Sequence, residues 1–174
     1  MIHYGARSKQ VLGSTSTNLQ KVFTQVKFVC PDQFDMSLVE GHRPVERQQL
    51  LFTRGLTQLD GVTKLGKHNF NPSLAIDVYP YDRMYGVLTG HEKNIAAILK
   101  KMSPSLDSNQ NAVEYNQKYK AVADYIHNRF NIQAGIVMTA ARSVGIELTW
   151  GGDWNSNGNT ADQTFNDLPH FQEK

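Results

Sequence analysis

The sequence predicts an α+β fold: one compact domain over residues 1–174, in which a small antiparallel sheet packs with helices. Three observations predict it. Stretches with apolar residues at helical spacing and short alternating stretches both occur, but not in the regular βαβ order of a doubly wound sheet. The 174 residues suit one sizeable core and would be stretched over two. With 40% hydrophobic and 20% charged residues, the chain has enough apolar surface to fold.

The elements follow in order. Residues 14–30 read as an amphipathic helix, with Leu19, Val22, Phe23 and Val26 at helical spacing and Thr17 with Gln20 as a capping box. Cys30-Pro31-Asp32 ends it, and residues 36–40 read as a short strand. Gly41-His42-Arg43 turns into a second helix, with Pro44 in its first turn and Gly55 at its end. Residues 55–72 form a polar loop, and loops of this length often serve a function. Residues 73–79 alternate and are rich in Ala, Ile and Val, which predicts a strand stopped by Pro80. Residues 81–110 are irregular apart from a short helix at 92–101. Residues 112–144 carry the strongest helical signal, with a break near Asn131 and a cap at Gly145. Residues 146–150 and 170–172 read as strands, separated in part by a polar loop at 155–164.

Charge and cysteine usage narrow the function. Lys+Arg 18 against Asp+Glu 16 gives a net charge of only +2, which does not suggest a nucleic-acid binder. The single cysteine, Cys30, excludes an intrachain disulfide and follows the apolar pattern of its segment, as a buried structural thiol does. The first residues lack the apolar core of a signal peptide, and no apolar run approaches membrane-spanning length. These features predict synthesis in the cytoplasm, no membrane insertion and a monomer.

Two histidines and a carboxylate, His68, Asp77 and His170, make a set suited to a catalytic zinc with an open fourth position. Asp77 sits between Ile76 and Val78, where a carboxylate is costly unless paired or bound to metal. By alternation its face carries the small residues Ala75 and Ser73, which leaves room for a cluster. Spacing alone leaves alternatives open: Asp77 capping a backbone or pairing with Arg43, and His170 as a surface histidine. Asp167, three residues before His170, could handle the proton of a metal-bound water or be an ordinary turn residue. Arg43 is a permanently charged fork that fits a substrate carboxylate or a developing oxyanion, or else pairs with Asp35 or Glu40. Gln48 is read as a second polar contact to substrate. Asp153 either orients a ligand histidine beside the substrate or turns the chain after Gly151-Gly152, and Trp154 either lines the cleft or packs. His3, His42, His91 and His127 read as structural or surface residues.

The span 36–172 resembles the M15 family of zinc peptidases, which holds D-Ala-D-Ala carboxypeptidases and dipeptidases and the L-alanyl-D-glutamate endopeptidases of phage endolysins. The resemblance rests on Gly41-His42-Arg43, the helix from Pro44, His68, Ala75 and Asp77, Trp150-Gly151-Gly152-Asp153-Trp154, and Asp167-Leu168-Pro169-His170. Two extra residues separate His68 from Asp77, Gly66 stands where Ser is usual, and Ser73 where Gly is usual. The resemblance implies a Hedgehog/DD-peptidase-like fold with Zn²⁺ on His68, Asp77 and His170, Asp167 as base and Arg43 on substrate. It implies that the partner is the stem peptide of peptidoglycan, cut between L-Ala and D-Glu after something else opens the membrane to the periplasmic wall. The alternatives are a D-Ala-D-Ala carboxypeptidase or dipeptidase and a non-catalytic zinc-bound wall-binding module. An aspartate at 167, where carboxypeptidases commonly have glutamate, looks more like the endolysin branch.

Overall fold

The computed structural model describes residues 1–109 and 111–174. Along the chain come helices α1 (Ala6–Gly13) and α2 (Thr17–Val29), strand β1 (Met36–Glu40), helix α3 (Val45–Thr53), strands β2 (Ala75–Asp82) and β3 (Gly86–Val87), helices α4 (Glu92–Met102) and α5 (Ala112–Ser143), and strands β4 (Leu148–Trp150) and β5 (His170–Glu173). Short 3₁₀ turns lie at Asp32–Phe34 and Lys67–Asn69. Every strand pairing is antiparallel, in the order β1-β2-β5-β4 with β3 on the far end of β2. The α+β expectation therefore holds.

The sheet has two unlike faces, as strand alternation requires. Met36, Leu38, Ile76, Val78, Leu148, Trp150 and Phe171 are buried on one face against α2 and the second half of α5. There Phe23 of α2 meets Phe171 edge-on, with ring centroids 6.5 Å apart. The other face carries Asp77, Tyr79, His170 and Gln172, and this face bears the candidate site. A second apolar cluster joins Leu88, α4 (Ile95, Ile98, Leu99) and the first half of α5 (Val122, Ile126, Phe130).

Several local expectations need correction. Helix α2 is capped by Ser16, whose Oγ accepts from the Leu19 amide at 3.2 Å, rather than by Thr17 with Gln20. Gln20 instead donates to the Thr15 carbonyl at 2.8 Å. Helix α1 has no fully buried residue, so no apolar stripe announces it in the sequence. Strand β2 runs through Pro80, which pairs with Met36. The Val78 amide reaches Pro169 on the β5 side, and Tyr81 reaches Asp35 on the β1 side. Alternation thus turns Pro80 to the β5 side, beyond the end of β5, where its carbonyl accepts from the Leu88 amide at 2.9 Å next to the β3 pairing and only the return bond is missing.

Helix α5 does not break at Asn131 but runs unbroken for 32 residues to Ser143, and Gly145, with a φ of +70°, turns the chain just past the cap residue Val144. Its buried face continues through two polar residues that find partners. Arg129 donates to the carbonyls of Gln33 (2.6 Å) and Tyr81 (2.9 Å), and Gln133 donates to Val78 (2.9 Å). These bonds hold α5 to β2, the strand that carries Asp77. Cys30 is buried with Sγ 3.3 Å from the Phe34 carbonyl, and burial pushes its thiol up to about 11, as befits a structural thiol.

Candidate active site

His68, Asp77 and His170 come from three separate elements and meet at one point. The β2–β5 register sets Asp77 directly opposite His170. His68 is placed by the 3₁₀ turn Lys67–Asn69, which is tied down by Arg43 N to His68 O (2.8 Å) and Leu74 N to Lys67 O (3.0 Å). The extra residues between His68 and Asp77 are taken up in solvent, since Phe70, Asn71 and Pro72 are exposed while His68 is only 4% exposed.

His68 Nε2 lies 3.1 Å from Asp77 Oδ1 and 3.2 Å from His170 Nδ1, and His170 Nδ1 lies 3.2 Å from the same Asp77 oxygen. The outer nitrogens fix the character of the inner ones. His68 Nδ1 lies 2.7 Å from the Gly41 carbonyl, which can only accept, so Nδ1 carries the proton and Nε2 presents a lone pair. His170 Nε2 likewise donates to Gln172 Oε1 at 3.1 Å, which leaves Nδ1 facing inward. In the neutral imidazoles, three acceptors therefore point at one another. That arrangement repels itself unless a cation or a proton lies among them.

The donor set fits zinc. A zinc ion with bonds of about 2.0–2.1 Å spaces tetrahedral ligands about 3.3–3.4 Å apart, close to the 3.1–3.2 Å found here. Among the described residues, this is the one cluster of histidine, cysteine and carboxylate groups close enough to hold a metal ion. Without a metal, a proton takes the cation's place. Burial pushes the Asp77 carboxyl up, but hydrogen bonds from His170 and His68 outweigh it and hold it well below its usual range. Burial pushes His170 down, but the hydrogen bond and charge of Asp77 more than reverse it.

Asp167 lies beside this triangle on the turn before β5. Its amide donates to Gly151 O (2.8 Å), and its carbonyl accepts from His170 N (3.0 Å). Burial and the negative charge of Asp77 lift its carboxyl above the usual range, against the pull of His170, His68 and Arg43. A carboxylate raised in this way is better suited to take a proton near neutrality. Gly151 makes the approach possible, because a Cβ there would lie 2.3 Å from the Asp167 carbonyl oxygen and 3.1 Å from its Cβ. Gly151→Ala is expected to displace Asp167 and cut kcat about 100-fold with zinc content retained, which steady-state kinetics and metal analysis would check.

Arg43 sits on the opposite flank. Its Nη2 bonds Glu40 Oε2 at 2.5 Å and reaches Asp77 Oδ2 at 3.4 Å, while Nη1 donates to Gln48 Oε1 at 3.1 Å. Of the three ion-pair partners that the sequence offers, it takes Glu40 and Asp77 and not Asp35. A bulge between Leu38 and Glu40 brings Glu40 opposite Asp77. Burial pushes the Glu40 carboxyl up, but hydrogen bonds from Arg43 and Arg47 outweigh it and hold it below its ordinary value of 4.5. Its stabilising contribution is therefore present above that value and lost as pH falls through the depressed one. Glu40→Gln is expected to cost roughly 1–3 kcal/mol at neutral pH, a difference that shrinks in acid. Denaturant unfolding at pH 7 and pH 3 measures it.

Two expectations are corrected here. Gln48 offers no free edge to a substrate: it is buried, accepts from Arg43, and donates to Leu59 O (2.7 Å) and Thr57 Oγ1 (3.3 Å), so it braces Arg43 from behind. Asp153 does not orient a histidine. Its carboxylate accepts from the amides of Asn157 (3.1 Å) and Gly158 (2.9 Å) and shapes the loop that follows. Gly41 and Gln172 fill the orienting role instead. Alternation along β5 puts Gln172 on the face of His170, a signal present in the sequence, whereas a backbone carbonyl such as that of Gly41 leaves none. Trp154 lies against the site, its ring 5.5 Å from that of His170.

The model of the phage L-alanyl-D-glutamate peptidase family matches residues 88–173, the stretch that contains Trp150 to Trp154, Asp167 and His170. The fold of this chain is similar to the crystal structure of the L-Ala D-Glu endopeptidase ChiX of Serratia marcescens, with a TM-score of 0.58 and 24% sequence identity over 99% of this chain and 90% of that one. No curated protein matches this chain by sequence.

Proposed function

We propose that this chain is a zinc-dependent peptidase that hydrolyses the L-Ala–D-Glu bond of peptidoglycan stem peptides. The observation that carries the reading is the convergence of three acceptor atoms, 3.1–3.2 Å apart, beside a carboxylate raised above its usual range. The matching family's action on L-alanyl-D-glutamate suggests the bond.

His68, Asp77 and His170 would hold the metal. A zinc ion bound there supplies a Lewis acid for the scissile carbonyl and a water acidified toward neutrality. Gly41 and Gln172 keep both imidazoles in the tautomer that faces lone pairs inward. Asp167 takes the proton of the attacking water and delivers it to the leaving amine of D-Glu. Arg43, held by Glu40 and Gln48, offers positive charge to a substrate carboxylate or to the oxygen that becomes negative. Among the described residues, no helix is long and apolar enough to cross a membrane. We assign the chain's action to the wall, reached once another agent has opened the membrane.

The test is a defined stem peptide carrying both the L-Ala–D-Glu bond and a D-Ala-D-Ala end. Products with a new D-Glu amino terminus are expected. Release of D-Ala alone would reject the endopeptidase assignment in favour of a carboxypeptidase.

A further inference from the structure

The two flanks of the metal-ligand triangle differ in chemistry. On the β1 side, next to Asp77, stands the guanidinium of Arg43. On the other side, beyond His170, stands a ladder of rings. Trp154 lies 5.5 Å from His170 at 33°, and Phe165 lies 6.1 Å from Trp154 at 24°. Phe165 is 63% exposed, so the ladder runs from a buried imidazole out to solvent. Amide side chains lie beside Trp154: Gln163 Oε1 accepts from the Trp154 amide at 3.1 Å, Gln163 Nε2 donates to Asp162 Oδ1 (2.5 Å) and Asn159 O (3.3 Å), and the exposed Asn155 lies 3.4 Å from the same Nε2. The indole Nε1 of Trp154 is buried without a partner.

An exposed aromatic face with an amide rim offers apolar contact in the middle and hydrogen bonds at the edge. A pyranose ring is the complement, with a face of C–H groups and an edge of hydroxyls. If the proposed function is right, the substrate has such a ring at one end only. The stem peptide joins N-acetylmuramic acid through the amino end of L-Ala, whereas its carboxylates lie from D-Glu onward. A lactyl group and one alanine separate the sugar from the scissile bond, about two residue lengths or ~7 Å. Phe165 stands two ring steps from His170.

We infer that Phe165 and Trp154 form the subsite for the N-acetylmuramoyl ring. The stem peptide then lies across the sheet in a fixed direction, with its sugar-bearing end over the ladder and its carboxylates toward Arg43. Asp167 and Trp154 belong to segments joined through Gly151, so the same backbone contact that places the base also anchors the ladder.

The inference rests on the proposed function, and one kinetic comparison separates the two. Cleavage of an N-acetylmuramoyl stem peptide is measured beside that of the same peptide without the sugar, for the wild type, Phe165→Ala and Phe165→Tyr. The wild type is expected to prefer the sugar-bearing substrate. Phe165→Ala is expected to lose roughly five- to tenfold more kcat/KM on that substrate than on the free peptide, mainly through KM, and Phe165→Tyr to restore the preference. Equal loss on both substrates would make the ladder a mere support for His170 and overturn the subsite, as would a wild type indifferent to the sugar. A wild type that cuts neither substrate would overturn the proposed function itself.

Discussion

Asp167→Asn is expected to keep the fold and a full complement of zinc while losing turnover on the order of 10²–10⁴-fold. Asparagine preserves size and the backbone contacts to Gly151 and His170, so nothing that places the ligands is disturbed. It removes only the group that can take a proton. The separation matters because the side chain of Asp167 lies outside the three-ligand cluster. A module that only binds zinc has no use for a half-buried carboxylate lifted above its usual range. Lysis of purified wall, measured together with zinc content, checks the result. Unchanged lysis would remove Asp167 from the mechanism.

The second large effect concerns the ligands. His68→Ala is expected to abolish stoichiometric zinc and activity together, because two remaining ligands leave the ion poorly held. It also gives a readout that needs no substrate. A metal that binds only the folded chain stabilises it by mass action, about 4 kcal/mol at a thousand times Kd. For a chain of this size that amounts to a rise in Tm on the order of 10 °C. The wild type is expected to show this rise on adding zinc and His68→Ala to show none. A thermal scan with and without zinc decides it.

Much of this site was legible in the sequence because its parts are local. Asp77 announces itself as a carboxylate in an apolar strand, and the small Ala75 and the buried Ser73 flank it as alternation demands. Long-range placement was not legible. No pattern within the chain says that β5 pairs with β2 in the register that sets His170 opposite Asp77; the sheet core decides that. The misreadings share a cause. Pro80 reads as a stop to β2, Asn131 as a break in α5, Gln48 as a substrate contact, and Asp153 as either a histidine partner or a turn residue. In each case the deciding fact was where a hydrogen bond goes. Pro80 keeps a bond from Leu88 at the end of the β3 pairing, Arg129 and Gln133 find backbone carbonyls beside Asn131, Asp153 turns to its own loop, and Gln48 turns to Arg43. Such partners are tertiary, so residue type and periodicity do not reveal them.

The account stands on the claim that His68, Asp77 and His170 together hold one zinc ion. The most direct test is zinc-edge X-ray absorption on the purified wild-type chain, with metal content measured on the same sample. The account predicts one zinc per chain, with two imidazole nitrogens and a carboxylate oxygen at about 2.0–2.2 Å and a light atom in the remaining position. A chain that takes up no stoichiometric zinc, or a zinc shell without two imidazoles, would contradict it.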